Sequence, residues 1–117
     1  ITDEIYSKNF FMNNEIEPIH IGEPEDVDIQ SVENFEHEDI NYAIFHLESG
    51  FFSTQGHCNC QDQSFLSEGS VEGEEIECAS CGDIYSIVSG EPINNEELMP
   101  LKIYDVIEED DNIYLNL

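Results

Sequence analysis

The chain has 117 residues, with 2 Lys, no Arg and 28 Asp plus Glu, for a formal charge of −26 at pH 7. Almost no cation is available to neutralise phosphate, which excludes a nucleic acid or an anionic membrane engaged through a basic surface. With 39% apolar residues, seven Phe and five Tyr, the chain can still supply one small core, so one domain is expected and a wholly disordered acidic tail is not.

Apolar runs are short. Tyr42-Ala43-Ile44-Phe45 is typical, far below the roughly 20 residues of a membrane-spanning helix, so no membrane insertion is expected. Ile1-Thr2-Asp3-Glu4 carries none of the basic and apolar pattern of a secretory signal, and a cytoplasmic location is expected, with an organellar one after processing as the alternative.

Taken in chain order, residues 1–14 are polar and Asn-rich around Phe10-Phe11-Met12 and read as an N-terminal extension to a domain over 15–117. Ile16, Ile19 and Ile21 alternate as a first strand, ended by Gly22-Glu23-Pro24. Residues 30–35 give a weak second strand and 41–47 a stronger third. Ser49-Gly50 turns the chain into Phe51-Phe52-Ser53-Thr54. Glu68-Gly69 and Glu72-Gly73 bracket a small hairpin, Glu75-Ile76-Glu77 leads as a strand into Cys78, and residues 83–88 follow as another. Ser89-Gly90-Glu91-Pro92 is a turn, and only 94–99 could hold a helical turn. A final hairpin pairs 101–107 with 112–117 through Glu108-Glu109-Asp110-Asp111, placing Ile113, Leu115 and Leu117 on one face. Strand signals at this spacing predict an all-β antiparallel sandwich or barrel.

The four cysteines carry the chemistry. Cys58 and Cys60 form one close pair and Cys78 and Cys81 another, with 17 residues between them. Two close pairs suit a metal site better than disulfides, which need an oxidising compartment. Four thiolates can hold a tetrahedral zinc, a single iron or a 2Fe-2S cluster, and sulfur in this number disfavours calcium. The surrounding Gly, Ser and Asn leave backbone amides free to donate to sulfur.

From about Ile16 to the C-terminus the chain resembles the Rieske-type ferredoxins, electron carriers of aromatic-ring dioxygenase systems. The family frame is Cys-x-His, about 15 to 17 residues, then Cys-x-x-His. Here it reads Cys58-Asn59-Cys60, 17 residues, then Cys78-Ala79-Ser80-Cys81. Ala43-Ile44-Phe45, Glu48-Ser49-Gly50 and Phe51-Phe52-Ser53-Thr54 stand before the first ligand loop as in the family. Leu66-Ser67-Glu68-Gly69 and Val71-Glu72-Gly73 lie between the loops, and Gly82, Tyr85 and Ser89-Gly90-Glu91-Pro92 follow. The resemblance implies a Rieske-like sandwich with a small metal-binding subdomain of two ligand loops at about 56–90.

The departure is at the site, where Cys60 and Cys81 replace both histidines. A 2Fe-2S cluster held by Cys58, Cys60, Cys78 and Cys81 would gain two negative ligands, and its potential should fall from the Rieske range of about −150 to +300 mV toward about −400 mV. The proton coupling that imidazole ligands supply would also be lost. The alternatives are zinc or a single iron in the same cage, or free thiols, which would be prone to oxidation.

The expected function is a small acidic one-electron carrier between a reductase and an acceptor, with no substrate chemistry of its own. It would dock on basic surfaces of redox partners through Glu74, Glu75, Glu77 and Asp83. The competing expectation is an accessory subunit of a larger complex, in which a four-cysteine zinc or iron site only holds the fold. His57 beside Cys58 is expected near the site but not as a ligand, His20 and His46 as sheet residues and His37 as a solvated turn residue. Acidic runs such as Glu23-Pro24-Glu25-Asp26 lack the spacing of a calcium loop.

Overall fold

The computed structural model describes residues 17–117. The extension with Phe10-Phe11-Met12, and Ile16 of the first strand signal, lie outside the described residues. Nine strands follow in order: β1 (Ile19–Gly22), β2 (Ser31–His37), β3 (Ile40–Leu47), β4 (Gly50–Gln55), β5 (Ser70–Glu72), β6 (Glu75–Glu77), β7 (Ile84–Ser86), β8 (Ile103–Glu109) and β9 (Asn112–Asn116). Six of them form a sheet of order β1-β9-β8-β4-β3-β2, and β5-β6-β7 form a second. Every pairing is antiparallel. Among the described residues the only helical elements are the 3-10 turns Pro24–Asp26 and Leu66–Glu68. The all-β class read from the sequence is therefore the class found.

Strand β3 explains the architecture. Its run 42–45 is apolar without interruption because both of its faces are covered, as in a strand buried between two layers. Tyr42 and Ile44 pack with Val27, Ile113 and Leu115 inside the larger sheet. Ala43, Phe45 and Leu47 point the other way and pack with Leu66, Ile76, Tyr85, Ile87 and Leu101. Cys58, Cys60 and Cys78 belong to that second core, so the sulfur site is continuous with the packing that joins the two sheets.

Local chemistry moves several boundaries. The connection between β8 and β9 is two residues, not four, because Asp110 and Asp111 take φ of 54° and 64°. This is the pattern of a two-residue hairpin turn whose twist matches the strands. Glu108 and Glu109 remain in the ladder opposite Ile113 and Asn112. Glu38 and Asp39, at φ 53° and 69°, repeat the device between β2 and β3. Ile113 and Leu115 are buried as expected, but Leu117 lies past the last paired residue and is exposed. β7 is shorter than the expected 83–88, because the Ile87 amide bonds to Glu74 and the Gly90 amide folds back to Ser86. Over 94–99 no helix forms, only a single turn in which Leu98 N–H donates to the Asn95 carbonyl at 3.1 Å. The Asn95 side chain accepts the Glu97 amide at 3.2 Å, a local bond that competes with helix.

Candidate metal centre

Two loops carry the cysteines, and each is closed by its own backbone. The first, 56–65, leaves β4 and is pinned by Gly56 N–H to the Asn41 carbonyl at 2.9 Å and Leu66 N–H to the Gly56 carbonyl at 2.8 Å. Within it, Cys58 N–H donates to the Ser64 carbonyl at 2.9 Å and Gln63 N–H to the Cys60 carbonyl at 3.1 Å. A side-chain lattice adds to this. The Gln55 amide donates to the His57 carbonyl and to Asn59 Oδ1 at 2.8 and 2.9 Å, and Asn59 Nδ2 donates to the Met99 carbonyl at 2.7 Å. The second loop, 78–83, joins β6 to β7. Cys78 N–H donates to the Asp83 carbonyl at 2.9 Å and Gly82 N–H to the Cys78 carbonyl at 3.0 Å. Gly82 closes that turn at φ 76°, a conformation costly for residues with a Cβ.

The loops meet at their sulfurs. All four Sγ atoms lie within 4.8 Å of one another. Cys58 Sγ is 3.7 Å from Cys81 Sγ, and Cys60 Sγ is 3.9 Å from Cys78 Sγ. Cys58, Cys60 and Cys78 are buried, while Cys81 is exposed. Disulfide pairing is absent, since all four are free. Sulfur-only donors in this number suit zinc or iron. An ion about 2.3 Å from each sulfur of a tetrahedron sets sulfur–sulfur edges of about 3.8 Å, close to the 3.7 and 3.9 Å separations.

Hydroxyls and amides surround the sulfurs. Ser64 Oγ lies 3.2 Å from Cys78 Sγ. Tyr85, fully buried in β7, accepts the Asn59 amide at 3.2 Å and so keeps its own proton for Cys58 Sγ at 3.5 Å. As free thiols the cysteines are tuned apart. Burial pushes Cys58 up to about 11, although Tyr85 and the Cys60 amide pull the other way. Burial also opposes ionisation of Cys78, yet Ser64, Cys58 and the amides of Cys81 and Ser80 hold it down at about 6. Cys81 is exposed as a residue, but desolvation of its sulfur where it faces the other three pushes it up, and the side chains of Asp83, Cys78 and Cys60 add to this against the Asp83 amide. Sequence pattern singles out neither Ser64 nor the role of Tyr85; the only signal is that a hydroxyl residue lies in each loop's flank.

No family model matches the chain. Two curated proteins are similar over part of it. "Ferredoxin CarAc" of Metapseudomonas resinovorans is 27% identical over 62% of this chain and 67% of its own length. The "Biphenyl dioxygenase ferredoxin subunit" of Pseudomonas sp. (strain KKS102) is 27% identical over 60% of this chain and 64% of its own. The matched stretch thus spans about two thirds of each relative. In three dimensions, a chain of the "Complex of reduced oxygenase and oxidized ferredoxin in carbazole 1,9a-dioxygenase" superposes with a TM-score of 0.77 at 20% identity, covering 84% of this chain and 91% of that one.

The fold is that of the Rieske-type ferredoxins. These relatives are electron carriers, not catalysts of substrate chemistry. The sulfur group consists of Cys58, Cys60, Cys78 and Cys81, and no histidine joins it among the described residues. His57 stands beside Cys58 but its Nδ1–H donates to the Gln63 carbonyl at 2.9 Å, and its ring rests on Phe65. His20 and His46 are sheet residues, in β1 and β3, as expected. His37 differs from the expectation. It ends β2 opposite Ile40 and stacks on Phe35, because the turn begins one residue later. Of the acidic residues, Glu77 and Asp83 flank the second loop, whereas Glu74 lies in the turn before β6, away from that loop, and accepts a hydrogen bond from Ser49 at 3.2 Å. No helix among the described residues is long and apolar enough to cross a membrane.

Proposed function

We propose that the chain is a small acidic one-electron carrier whose iron is held by Cys58, Cys60, Cys78 and Cys81. The observation that carries this is the convergence of four sulfurs from two backbone-locked loops in a Rieske-type fold. Thiolate-bound iron supplies one-electron chemistry, taking up and releasing an electron with no change in the bonds of the protein. What the residues contribute is a rigid, largely dry cage. Three buried sulfurs anchor it to the core, and the exposed Cys81 gives the route by which an electron reaches the surface. Ser64, Tyr85 and the loop amides donate to sulfur, which spreads the negative charge an added electron brings.

Its partners are redox proteins with basic docking faces. Lys102 is the only Lys or Arg among the described residues, so attraction to a basic surface speeds encounter without requiring a tight complex. A carbazole dioxygenase ferredoxin is seen with its oxygenase, and an oxygenase-like or reductase partner is the corresponding proposal here. Glu77 and Asp83, beside Cys81, line that face, and the soluble compartment proposed is the cytoplasm.

A second reading has one observation in its favour. Burial of Cys58, Cys60 and Cys78 inside the inter-sheet core is also what a zinc clip in an accessory subunit needs. Protein purified from cells supplied with both metals discriminates. Bound iron with a visible colour that dithionite bleaches supports the carrier, and colourless protein with stoichiometric zinc rejects it.

A further inference from the structure

We infer that the four-sulfur cage takes a single tetrahedral ion and not the two-iron cluster of the fold it resembles. This rests on the carrier reading for the identity of the metal and goes beyond it in fixing the number of ions.

Size favours one ion. With all sulfur separations at or below 4.8 Å and Cys58 to Cys81 at 3.7 Å, a tetrahedron with such edges has its centre about 2.3 to 2.9 Å from each sulfur, so that a small contraction brings all four to the bonding distance of about 2.3 Å for one ion. A 2Fe-2S cluster must place two irons and two bridging sulfides in that space. Each iron takes its own pair of thiolates at one end of the cluster, so sulfurs of different pairs stand well apart. None of the separations here is long.

Pairing favours one ion as well. On a Rieske-type frame one iron takes the first ligand of each loop and the other takes the second, which here groups Cys58 with Cys78 and Cys60 with Cys81. Yet sulfurs of different pairs stand close here, Cys58 to Cys81 at 3.7 Å and Cys60 to Cys78 at 3.9 Å. These contacts link the sulfurs that a cluster would hold apart, and the four fall into no two separated pairs.

The second loop is shaped to the same end. Cys78 N–H donates to the Asp83 carbonyl at 2.9 Å and Gly82 N–H to the Cys78 carbonyl at 3.0 Å, which folds Cys81 back over Cys78. Gly82 tightens the turn that allows this. Both thiolates of a two-residue spacer are thereby turned toward one point, the spacing used by structural sites for a single zinc. Replacing the two histidines by cysteine has thus altered the number of metals as well as the ligand type.

The test is iron, zinc and acid-labile sulfide per chain in protein isolated anaerobically, with metal-edge X-ray absorption on the same sample. One iron, no sulfide and a single shell of sulfur neighbours is expected. Two irons with two sulfides and an iron–iron vector overturn the inference while leaving the carrier reading intact. One zinc without sulfide supports the single-ion cage and overturns the carrier. As a second measurement, cobalt is titrated into metal-depleted protein. Saturation at one equivalent with a tetrahedral thiolate spectrum, lost in Cys81→Ser, is expected, and a second equivalent at the same site, or no uptake by folded protein, contradicts it. Cys81 is exposed, so its substitution leaves the core intact.

Discussion

Two hydroxyls set the character of the sulfurs. Ser64 and Tyr85 reach Cys78 and Cys58 respectively, and partners of this kind orient and tune metal ligands. Ser64→Ala is expected to weaken metal binding by roughly 10- to 100-fold with little change in fold, read by competition against a chelator; unchanged affinity would remove Ser64 from the site. The unequal thiols also fix how binding responds to acid. Burial leaves Cys58, at about 11, protonated at neutral pH, and Cys81 is shifted the same way, whereas hydrogen bonds leave Cys78, at about 6, already ionised. Metal uptake must therefore displace protons from Cys58 and Cys81, so affinity rises with pH through neutrality and falls more steeply below about 6, where Cys78 also protonates. An indicator dye should record at least those two protons per ion bound, and an affinity flat with pH would contradict this. The cysteines themselves were legible from spacing. Their hydroxyl partners were not, because Ser64 and Tyr85 become neighbours of sulfur only once β7 packs under the first loop.

At the scale of elements, hairpins and cores were readable where side-chain pattern alone decides them. The run 42–45 and the alternation of Ile113 and Leu115 named the strands that carry the core. Turn lengths were misread because Asp and Glu rarely take the left-handed conformation that shortens them. Asp110 and Asp111 do take it, at φ 54° and 64°, and a run of four acidic residues gives no hint of which two form the turn. Asn-Gly is the favoured pair for this geometry. The double substitution Asp110→Asn with Asp111→Gly is expected to raise stability by about 1 kcal/mol, since it relieves strain and removes two like charges. Chemical denaturation reads the change, and a loss of stability would mean that the turn has another form. The short strands β5 to β7 were signalled by Gly69, Gly73 and the run Glu75-Ile76-Glu77, but their order in the sheet was not. Three residues each is too little pattern, and their order is imposed by Ile76 and Tyr85 entering the core.

For the whole molecule, charge dominates. A formal −26 on 117 residues repels itself, and added salt screens that repulsion with a reach of about 10 Å at 0.1 M. Salt is therefore expected to raise the melting temperature while slowing electron exchange with a basic partner, two effects of opposite sign from one cause. A melting temperature that falls with salt, or a rate that ignores it, would point to docking through apolar surface instead. Composition alone made this field legible, but composition carries no sign that three sulfurs lie in the core with Cys81 at the surface. The most direct test of the whole account is an anaerobic spectroelectrochemical titration of the iron-loaded protein. One electron per chain should pass reversibly, with a midpoint that stays level across the pH range in which histidine ligands titrate. A protein that takes up no electron, or a midpoint that moves with pH as imidazole ligation requires, would contradict a centre built from Cys58, Cys60, Cys78 and Cys81.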